Sequence, residues 1–138
     1  MSNSILIDTN VLIYAVDADS QFHHRAWNIL LDPEVRLFTT SKNISEFLVV
    51  LTRDVEMGLS TGECLEILKE LLRDIIVLYP TPKSFKIFEE LIQKYNPRGL
   101  WIHDVEIASI GISYGVSTIV TRNVSDFRRI KEISIKEI

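Results

Sequence analysis

The 138-residue chain has a single cysteine, Cys64, so it can form neither an intramolecular disulfide nor a CxxC zinc clamp. Histidines are also few. Two of the three, His23 and His24, are adjacent and would project about 100° apart on a helix, a poor arrangement for sharing one metal ion. The 5 glycines build neither a P-loop nor a GxGxxG turn, so nucleotide-cofactor chemistry has no handle. Apolar runs such as Phe47 to Leu51 and Ile75 to Tyr79 fall far short of the roughly 20 residues of a membrane helix. Met1-Ser2-Asn3-Ser4 lacks a basic n-region, and Asp8 interrupts the first apolar run, so no signal peptide and a cytoplasmic location are expected. Positive charge is scarce as well: 15 Lys and Arg against 19 Asp and Glu leave a net charge of −4. That balance excludes gripping nucleic acid by bulk positive charge.

What remains is an ordinary globular composition, 46% hydrophobic and 25% charged, of a length that fits one domain. A chain of this size buries roughly 70% of its unfolded surface and needs no covalent staple. The mean hydropathy of +0.15 is slightly high for a small monomer and points to an apolar association surface. β-branched runs at Ile5 to Ile7, Val35 to Thr39, Ile75 to Leu78 and Ser117 to Thr121 predict strands, with an edge strand over Ile133 to Ile135. Between them the pattern predicts helices. The first is capped by Thr9 or Asn10, and others cover His24 to Leu31, Lys42 to Arg53 and Trp101 to Tyr114, the last closed by Gly115. Ser60 and Glu63 have capping-box spacing ahead of a stripe of Leu65, Leu68, Leu71 and Leu72. Thr81-Pro82 opens a helix with a core face of Phe85, Phe88, Leu91 and Ile92, and Phe127 to Ile130 predicts a short helix after a turn. Strands separated by helices throughout predict an α/β fold with a mostly parallel sheet and no internal repeat or linker.

In such sheets ligands bind beyond the C-terminal strand ends. Asp8 falls directly after the first strand and Asp126 lies five residues past Thr121. Glu46 and Asp104 sit near helix starts, where the positive helix terminus favours an anion. A lone first-turn acid is usually an ordinary helix residue, and Asp126 could be a simple cap. Asp8 is harder to explain away, because a carboxylate ending a buried strand is costly unless paired or metal-bound. If the four converge they repel one another until neutralised, and oxygen ligands without clustered Cys or His select Mg²⁺ or Mn²⁺ over zinc.

Four segments carry these acids in order: Ile7-Asp8-Thr9-Asn10-Val11-Leu12, Asn43-Ile44-Ser45-Glu46-Phe47, His103-Asp104-Val105-Glu106-Ile107-Ala108 and Thr121-Arg122-Asn123-Val124-Ser125-Asp126-Phe127. The ordered set resembles the PIN-domain family, in particular the small toxin ribonucleases of type II (VapBC-like) toxin–antitoxin pairs. The resemblance implies a three-layer α/β/α sandwich, a single nuclease domain over residues 1–138, and Mg²⁺- or Mn²⁺-dependent endoribonuclease activity leaving 5′-phosphate and 3′-hydroxyl ends. It assigns catalytic and metal-binding roles to Asp8, Glu46, Asp104 and Asp126, with Asp8 and Asp104 as direct ligands. Thr9, Asn10, Thr121 and Asn123 match supporting positions, and Asn123 stands where some relatives carry an acid. The resemblance also implies a cognate antitoxin whose tail covers the site, and a homodimer.

Other signals are weaker. Gly58-Leu59-Ser60-Thr61-Gly62 has nucleophile-elbow spacing, but no strand precedes it and the capping box accounts for Ser60. A dehalogenase-type phosphatase needs an acid two residues after the first, where Asn10 stands, and a receiver domain's pattern is missing. Trp27 and Trp101 read as packing residues. Arg98, Arg122 and Arg128 flank the acidic segments and are candidate phosphate contacts, although a solvated surface explains them equally well. The alternative to a nuclease is a catalytically weak RNA- or protein-binding module. Its support is Phe47 to Leu51, apolar around its whole helix turn, as a dimer seam or a groove for a partner helix.

Overall fold

Ile5, Leu6 and Ile7 form the last three residues of a strand, Ser4–Ile7 (β1), and all three are buried. Side chains alternate across a strand, so burial of successive residues requires protein on both faces. The computed structural model, which describes residues 3–138, supplies it. Ile5 and Ile7 enter one hydrophobic core and Leu6 enters the other.

Four further strands, Arg36–Thr40 (β2), Ile75–Leu78 (β3), Thr118–Thr121 (β4) and Ser134–Glu137 (β5), complete a sheet of order β3-β2-β1-β4-β5. Every pairing is parallel, so the sequence's mostly parallel sheet is wholly parallel here. The first core packs Thr9–Val16 (α1), His23–Leu30 (α2), Ser41–Arg53 (α3) and Thr61–Leu71 (α4) on one face. The second packs Pro82–Tyr95 (α5), Trp101–Ser113 (α6) and Val124–Arg128 (α7) on the other. The result is the three-layer α/β/α sandwich. No helix among the described residues is long and apolar enough to cross a membrane.

Helix starts follow the sequence closely where side chains cap them. Thr40 with Asn43, Ser60 with Glu63 and Thr81 with Ser84 all form capping boxes. The elbow spacing around Ser60 is therefore helix-start chemistry. Two starts differ from expectation. α1 is capped by Asp8 itself, whose carboxylate accepts from the Thr9 N–H, rather than by Thr9 or Asn10. α7 begins at Val124, which places Asp126 inside its first turn instead of before it.

Two apolar stripes differ from expectation only at their first residue, while Phe88, Leu91 and Ile92 and likewise Leu68, Leu71 and Leu72 pack into the cores as expected. In α5 the buried face runs through Ser84, Phe88 and Leu91, the i, i+4, i+7 spacing, so Phe85 is left 59% exposed. In α4 the same spacing selects Cys64, Leu68 and Leu71 and leaves Leu65 at the surface. In α3 the buried residues Asn43, Phe47 and Leu51 follow an i, i+4, i+8 line. Most of the Phe47 to Leu51 run is thereby buried or half-buried in the core, and only Val49 is exposed.

The sheet crosses over at β1. The chain moves from β1 to β2 and β3 on one side, then returns to place β4 and β5 on the other. α6 fits against this crossing only because residue 111 is glycine. A Cβ there would lie 2.6 Å from the Val116 carbonyl oxygen and 3.0 Å from Leu6 Cδ1. Gly111→Ala should therefore destabilise the protein by about 1–3 kcal/mol through overpacking. A urea unfolding curve with an unchanged midpoint would refute this.

Candidate active site

Asp8 stands where β1 ends, next to Thr121 at the end of β4, which is the topological switch point where open α/β sheets form their crevices. Its backbone N–H still donates to the Val120 carbonyl at 3.1 Å, so the strand ladder fixes its position. Its side chain is only 5% exposed and sits in a hydrogen-bond cage. Oδ1 accepts from the Thr9 N–H at 2.9 Å and from Asn43 Nδ2 at 3.1 Å. Oδ2 accepts from the Thr121 hydroxyl at 2.6 Å, with Asn10 Nδ2 at the limit of reach, 3.5 Å.

Each donor is in turn held by another group. Asn43 Nδ2 also reaches the Thr9 hydroxyl at 3.0 Å, while its Oδ1 accepts from the Thr40 hydroxyl at 2.6 Å. The Thr121 hydroxyl accepts from the Asn123 N–H at 2.8 Å, and Asn10 Oδ1 accepts from the Arg122 N–H at 3.3 Å. Among the described residues no buried side-chain nitrogen or oxygen lacks a partner. Asn43 was not singled out from the sequence as a site residue. Its signal was available in the capping-box spacing of Thr40 and Asn43, but nothing in the spacing shows that the same amide reaches Asp8.

Asp8, Glu46, Asp104 and Asp126 line one cavity of about 470 Å³, together with Thr9, Asn10 and Asn123. The cavity also takes in Ile13, Tyr14, Val50, Leu100 and His103. α1, α3, α6 and α7 each contribute residues near their starts, as the strand-end and helix-start positions require. Asn123 Nδ2 donates to Asp104 Oδ2 at 3.4 Å, so Asn123 and Asp126 both belong to the cavity.

Crowding of like charge is visible in the acids' protonation. Burial, followed by the charges of Asp8, Asp126 and Glu46, pushes the Asp104 carboxyl up to about 7, against the pull of the Asn123 amide. Burial also raises Asp8, while its bonds from Thr121, Thr9 and Asn43 oppose the shift and the Glu46 charge adds to it. No Lys or Arg lines the cavity. Among the described residues no three His, Cys, Asp or Glu side chains form a closed metal cluster. The donor chemistry nonetheless fits a hard divalent cation: four carboxylates with amide and hydroxyl oxygens beside them, an excess of negative charge, and no Lys or Arg among the described lining residues.

The candidate phosphate contacts separate. Arg98 is exposed in the loop before α6. The Arg122 guanidinium lies 4.2 Å from the Phe22 ring centroid and donates to the Ile138 carbonyl at 2.9 Å. Arg128 borders a different concavity, beside Ile133 and Ile135, and Arg129 stacks 3.6 Å from the Trp101 ring centroid. Both tryptophans pack as expected, with Trp27 Nε1 donating to the Ala15 carbonyl and Trp101 Nε1 to that of Asp126.

An α/β/α sandwich with an acid-lined cleft at its switch point defines a class, and the sequence of the PIN domain matches residues 5–133. The chain belongs to the PIN domain family. Among solved structures it is similar to VapBC2 from Rickettsia felis bound to a promoter DNA fragment, with a TM-score of 0.76 and 18% identity over 98% of both chains. It is similar to DNA-bound VapBC from Salmonella typhimurium, with a TM-score of 0.72 and 22% identity over 99% of this chain and 98% of that one. It also resembles VapC20 of Mycobacterium tuberculosis, a sarcin-ricin loop cleaving toxin, with a TM-score of 0.63 and 16% identity over 83% and 86%. No curated protein matches the sequence significantly.

The raised Asp104 pKa has a consequence for stability. The folded state holds its proton up to about pH 7, whereas the unfolded carboxyl releases it near 3.8. Between those values the native state binds more protons, so stability falls as pH rises. In EDTA the thermal midpoint should decline from pH 4 to pH 7, and Asp104→Asn should flatten that slope and raise the midpoint at pH 7. A wild-type slope retained in Asp104→Asn, measured by calorimetry, would assign the effect to another group.

Proposed function

We propose that this protein is a metal-dependent endoribonuclease, the toxin of a toxin–antitoxin pair, working as one nuclease domain over residues 1–138 in the cytoplasm. The observation that carries the reading is the convergence of Asp8, Glu46, Asp104 and Asp126 on one cavity at the sheet's switch point, crowded enough to lift Asp104 to about 7. Family membership and the similarity to VapBC complexes support it.

In this reading Asp8 and Asp104 hold Mg²⁺ or Mn²⁺ directly, and Glu46 and Asp126 complete the site directly or through waters. Such a cation, when bound, would supply charge neutralisation at the phosphate and a more acidic attacking water. The chain's own residues prepare the rest. Asn43, the Thr9 N–H and Thr121 fix the Asp8 oxygens in one orientation, and Asn123 aims Asp104. A carboxylate of the set accepts the water's proton as its oxygen bonds to phosphorus. The P–O3′ bond breaks, and the leaving 3′-oxygen takes a proton from the now protonated carboxylate or from solvent water, giving a 3′-hydroxyl and a 5′-phosphate. Arg98 and Arg128 are both exposed and remain candidate phosphate contacts, whereas Arg122 is engaged by Phe22 and Ile138.

The antitoxin reading has its own support in a second groove. It holds about 520 Å³ between the ends of α1 and α3, floored by Ile13, Val16, Val50, Leu51 and Met57 and rimmed by Asp17, Asp19, Asp54 and Glu56. Ile13 and Val50 are shared with the carboxylate cavity, so one partner segment, apolar and basic, could run from the groove into the site. Val49 and Val55, both exposed, are available to an antitoxin or to a second copy in a homodimer.

Asp8→Asn should reduce RNA cleavage on the order of 100-fold or more. Asn43→Ala, which removes one of the groups orienting Asp8, should reduce it about 10–100-fold. EDTA should abolish cleavage and either Mg²⁺ or Mn²⁺ restore it. A purified Asp8→Asn protein that cuts RNA as fast as wild type would end the nuclease reading.

A further inference from the structure

The half of the cavity that does not bear charge has no part in the chemistry above. On each of three helices a polar lining residue has an apolar one four positions away: Asn10 and Tyr14 on α1, Glu46 and Val50 on α3, Asp104 and Leu100 at the start of α6. Residues at i and i+4 lie one above the other on a helix face. An apolar shelf therefore stands one helical turn from the carboxylates in the same cavity.

Two features make this shelf unlike an ordinary core edge. Leu100 is 82% exposed although it lines the cavity, and it follows Gly99, whose φ of 63° a side chain would resist. Tyr14 is half-buried and braced from behind. Its ring packs on Phe22 at 4.9 Å between centroids, and Phe22 is held in turn by the Arg122 guanidinium. His23 Nδ1 pairs with the Tyr14 carbonyl at 2.8 Å and fixes the backbone beneath the ring. A flat aromatic surface kept in place by packing, beside an otherwise unoccupied apolar wall, is what stacking of a nucleobase requires.

We propose that Tyr14 is a specificity-determining residue that stacks an unpaired base of the RNA substrate within the cavity that Leu100 and the four carboxylates also line. This rests on the nuclease reading and narrows its substrate class. A base held within a duplex is covered on both faces by its neighbours and cannot reach Tyr14, so single-stranded segments and loops are cut and continuous duplex is not. Because the shelf carries no charged group of its own, it recognises the base by its π-face rather than by a hydrogen-bond code, and any sequence preference is modest.

The test separates base stacking from cleavage. In the wild-type protein with Mg²⁺ present, a single-stranded oligoribonucleotide with uncleavable 3′-methylenephosphonate linkages carries 2-aminopurine at successive positions. Stacking quenches the probe's fluorescence, and the quench is expected at one position. Adding Tyr14→Leu, which fills the space without an aromatic face, should remove the quench and weaken binding about 5- to 150-fold, the range for losing one stacked base. Adding Tyr14→Phe should preserve both. RNA that binds without a position-specific quench, or a quench that survives Tyr14→Leu, overturns the proposal and leaves the shelf to a partner peptide. If the oligonucleotide does not bind and wild type cleaves no RNA, the nuclease reading has failed and the proposal falls with it.

Discussion

A carboxylate that ends a strand buried on both faces must find its stabilisation within the protein, because an uncompensated charge there costs several kcal/mol or is lost to protonation. Asp8 meets this constraint with donors drawn from three different elements: the start of α1 (the Thr9 N–H and, more weakly, Asn10), the first turn of α3 and the end of β4. The cage explains polar residues that would otherwise be anomalous in a core. Thr9, Thr40, Asn43 and Thr121 are all buried, and each either bonds Asp8 or holds a group that does. The same bonds tie β1 to β4 across the crossover and to α3 across the sheet, so satisfying one charge also sets how the elements of the cleft sit.

Asp8 and Asp104 divide the site's electrostatics between them. Asp8 is deeply buried but its lone pairs are engaged by oriented donors, which favour the charged form and oppose the cost of burial. Asp104 is less buried and receives only a long bond from Asn123, so burial and three neighbouring negative charges dominate. The first acid is rigid and committed, whereas the second responds to whatever charge enters the cavity. A cation arriving at this cleft relieves the strain chiefly at Asp104, and a preformed cluster is not needed for the four acids to act together.

Local chemistry made most of this legible in the sequence. A β-branched run followed by Asp8 marked both strand and site, and the capping pairs at Ser60 and Thr81 fixed helix starts to the residue. Each apolar stripe was misread only at its first residue, because Ser84 and Cys64 read as unremarkable residues, yet they begin the buried i, i+4, i+7 lines that leave Phe85 and Leu65 outside. Long-range pairings were beyond reach. The Asn43 amide reaches Asp8 across a separation of 35 residues, and Thr121 does so across 113. Likewise Arg122 lies beside the acidic segment in sequence, but its guanidinium is drawn to Phe22 and Ile138, contacts that no local pattern encodes.

The acidity of the chain takes on a different meaning once its charges are located. A net charge of −4 spread over the surface would only repel a polyanion, whereas here four carboxylates share a cavity without a single Lys or Arg on its wall. Two divalent cations there would contribute +4 and bring the formal total to about 0, with the positive charge placed where a phosphate must sit. Nearby arginines do not substitute for it, since Arg122 and Arg129 are stacked on Phe22 and Trp101 and brace the cleft from outside. In the proposed nuclease reading, attraction for a phosphate backbone would be conditional on a cation held by these acids. Affinity and catalysis would then be coupled through one set of side chains, and the negative charge of the free protein would be the means of that coupling.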